Sequence, residues 1–123
     1  MTQAALPLLR KSENPVVVNI SRALGSFYAT TSAERHESQA PAMITYSASK
    51  AAVSMLTVQY AKALPEVKVN AVEPGFTATD LTGAHGFSGQ PIADAVEVIV
   101  RMATIGKDGP TGTFQENAGK LPW

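Results

Sequence analysis

Tyr46-Ser47-Ala48-Ser49-Lys50, continued by Ala51-Ala52-Val53, opens the longest helical segment of this chain, which runs from Met43 to Leu64 and is stopped by Pro65. On a helix, residues four apart share one face with their Cβ atoms roughly 5–6 Å apart. A phenol and an ammonium therefore meet here. A cation that close favours the phenolate, and a tyrosine so placed can give or take a proton near neutral pH. A surface tyrosine beside a solvated lysine has the same spacing, so the flanking sequence decides between the two readings.

Upstream, Val16-Val17-Val18-Asn19-Ile20-Ser21 is apolar on both faces, which suits a strand buried in a parallel sheet. Downstream, Val67-Lys68-Val69-Asn70-Ala71-Val72 reads as a second strand, broken by Pro74-Gly75 and followed by Phe76-Thr77-Ala78-Thr79-Asp80-Leu81. Thr113-Phe114-Gln115 is a third. Strands alternating with helices predict an α/β fold, with three parallel strands at about 16–21, 67–72 and 112–116. In such a sheet ligands bind outside the carboxyl ends of the strands, and Pro74-Gly75 lies at one.

The remaining segments fill in around these strands. Residues 1–11 read as a helix. Residues 92–103 read as another, with Pro91 suited to its first turn and Ile92, Ala95, Val96, Ile99 and Met102 on one side. Within 43–64, the recurrence of Ala48, Ala51, Ala52, Met55, Leu56 and Ala63 predicts a buried stripe. Arg22 to Ala42 is a long polar connection, of a length usually functional or mobile. Residues 81–90, with three glycines, read as a mobile lid carrying His85 on its surface. Residues 116–123 read as a tail whose Trp123 packs back onto the domain.

The order Val-Val-Val-Asn-Ile-Ser, Tyr-Ser-Ala-Ser-Lys-Ala-Ala, Val-Lys-Val-Asn-Ala-Val-Glu-Pro-Gly-Phe-Thr-Ala-Thr-Asp-Leu resembles the short-chain dehydrogenase/reductase family over nearly the whole chain. The long connection resembles its carbonyl-reductase-like members. The resemblance implies a Rossmann-like doubly wound sheet, NAD or NADP as cofactor, and a small carbonyl or alcohol substrate. It implies Tyr46 as the group that protonates the substrate oxygen, and Lys50 as its helper and the holder of the nicotinamide ribose. Pro74, Gly75, Thr77 and Thr79 would complete the nicotinamide end, Thr77 through its backbone.

Two departures qualify that picture. Family members seat the cofactor pyrophosphate on a T-G-x-x-x-G-x-G turn at a helix N-terminus, and none of the nine glycines here forms one. Residues 1–123 therefore read as a partial NAD(P)-binding domain, the C-terminal half without the Gly-rich half, and the chain by itself is expected to be inactive. The competing readings are a non-catalytic fragment or pseudoenzyme acting as an interaction module, and a start placed downstream of the missing half. The second departure is in the serine strand, which usually ends N-[IV]-S-S, its second serine bonding the substrate oxygen. Arg22 stands there, a side chain that accepts no hydrogen bond and would crowd the pocket. Ser21 points to the opposite side if strand alternation holds, and Ser26 is a weaker substitute.

Composition bounds the rest. The length of 123 residues is one small domain. Ten basic against ten acidic residues leave no electrostatic footprint for nucleic acid or an anionic membrane. With no cysteine and two histidines, His36 and His85, neither a disulfide nor a metal site is expected. No apolar run approaches the ~18 residues of a membrane span, and no signal-peptide core opens the chain, so a cytoplasmic location is expected. The first strand would be an exposed apolar edge, which favours pairing with another chain: a homo-oligomer, or a full-length relative.

Overall fold

β1 (Val16–Ile20), β2 (Lys68–Val72) and β3 (Phe114–Glu116) run parallel and adjacent in that order, and β4 (Gly119–Lys120) closes the far side antiparallel to β3. The computed structural model describes residues 1–80, 83, 86 and 88–123. The lid reading of residues 81–90 falls largely outside the described residues, and His85 wholly so. The sheet is mixed rather than purely parallel. The expected tail is in part the fourth strand: Asn117 and Ala118 turn the chain, and Gly119 takes φ 125°, a value L side chains rarely adopt. Trp123 does pack back, its ring stacked on Phe114 at 5.3 Å.

β2 is the central strand, and Val69, Asn70, Ala71 and Val72 are fully buried. Each buried valine contributes about 1.5–3 kcal/mol relative to exposure. On one face Val69 joins Leu64, Val67 and the partly buried Leu6 and Val17; on the other Val72 joins Val98, Met102 and Val18. Buried Asn70 is fully engaged: its amide donates to Pro110 O at 2.8 Å, and its carbonyl accepts from Thr113 N and Oγ1 at 3.0 and 2.8 Å. This single side chain fixes the turn that leads into β3.

The helices are α1 (Thr2–Leu9), α2 (Phe27–Thr31), α3 (Ile44–Ala63) and α4 (Ile92–Ala103). α3 corrects the expected stripe. Its buried residues are Ser54 and Thr57, whereas Met55 and Leu56 are 59% and 54% exposed. The reason lies in β1, which turns Asn19 and Ser21 toward the helix. Asn19 Nδ2 donates to Thr57 Oγ1 at 2.9 Å, and the Ser21 and Ser54 hydroxyls share a bond of 2.9 Å. A strand face carrying an amide and a hydroxyl is matched by hydroxyls, and the apolar side of the helix faces out. α4 is similarly rotated: Ala95, Val98 and Met102 are buried, while Ile92 and Val96 are exposed.

The 22–42 connection is ordered and not a loose loop. It contains α2 and two short 3₁₀ turns, Ala23–Gly25 and His36–Gln39. Ser26 caps α2, accepting from Ala29 N at 3.0 Å. Arg35 then ties the connection to β3: its guanidinium donates to both carboxylate oxygens of Glu37 and of Glu116 at 2.9–3.0 Å. Paired planar forks of this kind are among the strong hydrogen bonds in proteins. The bonds from Glu116, then Glu37, hold the Arg35 pKa above its ordinary value. Burial opposes ionisation of Glu37, yet the Arg35 bond and its own backbone hold that carboxyl below the usual range.

Candidate functional site

The carboxyl end of β1 and the first turns of α3 bring the sequence-predicted pair together. Ser21 N–H bonds to Val72 O across β2 at 2.9 Å, so the Ile20 carbonyl of the same peptide points to the open edge. Lys50 Nζ donates to that carbonyl at 3.2 Å. The ammonium also stands over the Tyr46 ring, 5.8 Å from its centre, within the range of a cation–π contact. Tyr46 and Lys50 are both half-buried. The helix is docked by Ser21, whose Oγ donates to Lys50 O at 3.1 Å. The strand thus positions Lys50 twice, through its carbonyl and through a serine hydroxyl.

A glycine brings the connection down onto the same turn. A Cβ on Gly25 would lie 2.6 Å from Ala51 N and from Lys50 C, so only glycine allows this approach. Gly25→Ala is expected to push α3 off the connection and cost about 1–3 kcal/mol, the usual penalty of overpacking. Urea unfolding measures it. An unchanged midpoint would mean that the helix shifts freely.

Ser21 and Arg22 point to opposite sides, as alternation requires. Arg22 does not crowd the tyrosine, because it is drawn toward β2, where Nη1 meets Glu73 Oε1 at 2.9 Å. The Glu73 side chain is only 6% exposed. It also accepts from Gly75 N at 2.6 Å and, by a very short contact, from Ala23 N. Glu73 therefore joins the ends of β1 and β2, a role that sequence reasoning missed. Ser26 is 2% exposed, and its one proton goes to Pro122 O at 2.8 Å, so that hydroxyl has none to offer a substrate.

Beyond β2, Gly75 takes φ 83° and Gln90 packs against it, its amide donating to Pro74 O. Thr77 donates to Gly75 O at 3.1 Å and pairs with Gln90 as an isolated parallel bridge. Thr79 lies two residues on and is exposed. A cleft of about 390 Å³ opens over the ends of β1, β2 and β3, with Arg22, Arg35, Glu73, Gly75, Gln90 and Glu116 among its walls. A larger cavity of about 630 Å³, apolar and bounded by Leu24, Phe27, Met43, Ile44, Ala48 and Ala51, flanks the start of α3. Neither is lined by Tyr46 or Lys50. Among the described residues there is no cluster able to hold a metal, and no helix long and apolar enough to cross a membrane.

The sequence model of the family described as short chain dehydrogenase matches residues 1–86. The chain is 33% identical over 135 residues to a short-chain dehydrogenase/reductase of Stachybotrys chlorohalonatus, a match covering 95% of this chain and 48% of that protein. It is 30% identical over 148 residues to (-)-isopiperitenone reductase of Mentha piperita, covering 93% of this chain and 46% of the relative. It thus spans about half the length of the curated relatives it matches. Its fold is like that of an NADPH-bound carbonyl reductase from chicken fatty liver, with a TM-score of 0.78 at 22% identity, covering 99% of this chain and 51% of the other.

Proposed function

Since this chain belongs to the short chain dehydrogenase family, we propose that it carries the proton-transfer end of an NAD(P)-dependent oxidoreductase that interconverts carbonyl and alcohol groups. The carrying observation is the Lys50 ammonium, held between the Ile20 carbonyl and the Tyr46 ring at a strand's carboxyl end. Tyr46 gives a proton to the substrate oxygen during reduction and takes it back during oxidation. Lys50 stabilises the phenolate left behind, and its attachment to β1 fixes where that charge develops.

The residues present fit one end of the dinucleotide. Lys50, at the carboxyl end of β1, supports the ribose-holding role, and the Pro74-Gly75 turn, which lines the cleft beyond β2 with the Gln90 amide packed where a Gly75 Cβ would lie, supports the nicotinamide-side role. Thr77 and Thr79 follow on the same turn. A nicotinamide held there would supply or accept the hydride. The pyrophosphate end has no counterpart among the glycines of this sequence, so a Gly-rich half must come from outside these 123 residues. The test is the chain joined behind such a half from a family member, assayed against aldehydes, ketones and quinones with NADH and NADPH. Turnover is expected there and not with the 123 residues alone. A folded fusion that binds NADPH but reduces nothing would favour a non-catalytic role.

The alternative, an interaction module, draws on the exposed apolar surface. β1 is an end strand with Ile20 44% exposed, and Met55, Leu56, Ile92 and Val100 are each more than half exposed. Burying such area gains about 25 cal/mol per Å², and an open strand edge offers unpaired backbone groups. The chain is therefore expected to associate at micromolar concentration in sedimentation. A cooperatively unfolding monomer would rule this out.

A further inference from the structure

We infer that Ser21 is a positioning residue of the Tyr46–Lys50 pair: its buried hydroxyl fixes the Lys50 main chain on the end of β1, and so decides where the Lys50 ammonium stands. The consequence for turnover rests on the oxidoreductase reading; the placement of Lys50 does not.

The last link of β1, Ile20–Ser21, grips Lys50 at both ends. The Ile20 carbonyl receives the ammonium at 3.2 Å, and the Ser21 hydroxyl donates to Lys50 O at 3.1 Å. That link is itself fixed to the sheet, since Ser21 N–H bonds to Val72 O at 2.9 Å. A lysine stem is flexible, so the ammonium contact alone would let the helix turn shift beneath it. With the backbone end fixed as well, the reach of the side chain is set. From the connection, Gly25 closes on the same turn, and a Cβ there would lie 2.6 Å from Lys50 C and from Ala51 N.

The hydroxyl protons make Ser21 and Ser54 unequal. Ser21 is fully buried and Ser54 is 6% exposed, with their oxygens 2.9 Å apart. A hydroxyl has one proton to donate. Ser21 gives its proton to Lys50 O, so Ser54 is the donor in the bond between the two serines. Removing either hydroxyl breaks that bond, but only removal of Ser21 also frees the Lys50 carbonyl from the strand. Asn19 and Thr57, bonded at 2.9 Å, keep α3 docked when either serine is changed.

The test is acylation of lysines in the 123-residue chain by an N-hydroxysuccinimide ester, read at each lysine by mass spectrometry, with exposed Lys11 and Lys107 as internal standards. Lys50 is expected to react about tenfold faster in Ser21→Ala, the equivalent of one lost hydrogen bond, and within about threefold of the parent in Ser54→Ala. Ser21→Cys keeps a weak S–H donor; it is expected to fall between, and it carries the test if Ser21→Ala does not fold. In the chain joined behind a Gly-rich half, Ser21→Ala should lower kcat by about 10- to 100-fold with the ketone KM nearly constant, the effect of misplacing a reacting group by roughly 1 Å. Lys50 reactivity equal to the parent's in Ser21→Ala or Ser21→Cys, equal acceleration in Ser54→Ala, or faster reaction with unchanged kcat would overturn the inference. A fused parent that binds NADPH but reduces nothing would sink the oxidoreductase reading, and the acylation rates would still decide whether Ser21 places Lys50.

Discussion

Glu73→Ala is expected to lower the stability of the chain by about 3–5 kcal/mol, the range for removing one member of a buried ion pair. Three groups lose their partner at once: the Arg22 guanidinium and the backbone N–H groups of Ala23 and Gly75. The first two lie at the end of β1 and the third just beyond β2, so the two strand ends are released together. Small domains have only about 5–15 kcal/mol in total, so the shift in urea midpoint should be large. Glu73→Gln keeps one acceptor oxygen and should fall between. Arg22→Ser in the Glu73→Ala background should cost less than the two single effects added, because the orphaned charge is then gone. A Glu73→Ala midpoint close to that of the parent would mean that the pair contributes nothing and that water replaces the carboxylate without penalty.

Much of this architecture can be read from particular stretches of sequence. Val16–Ile20 and Lys68–Val72 are legible as strands because runs of branched apolar residues between turn signals suit a sheet covered on both faces. Their parallel register, with Ile20 opposite Val72, is a finding of the structure. Tyr46 and Lys50 are legible as a pair because helix geometry alone brings them together. The orientation of α3 is not. Apolar periodicity points to Met55 and Leu56, whereas the helix is held by Asn19–Thr57 and Ser21–Ser54, contacts whose partners lie more than 30 residues apart. Polar residues in the serine strand were the available signal, since a buried amide or hydroxyl must find a partner on whatever packs against it.

The Arg22–Glu73 link was hidden for a related reason. Each residue read alone is a charged oddity at the end of an apolar strand. The parallel register places both at the same end of neighbouring strands, and there the two oddities become one ion pair. The ordering of residues 22–42 depends on Arg35 reaching Glu116, 81 residues away, which no local pattern predicts. The two-residue β4 is too short to carry a period at all.

Tyr46→Phe, made in the chain joined behind a Gly-rich half, most directly tests Tyr46 as the proton-transferring group. The substitution removes one hydroxyl and keeps the ring over which Lys50 stands. Stability and NADPH affinity should therefore hold nearly constant. Proton transfer by a positioned side chain typically contributes about 10²–10⁴-fold, so kcat for ketone reduction should fall by that factor. A variant that folds, binds NADPH and reduces ketones within a few-fold of the parent would contradict the assignment.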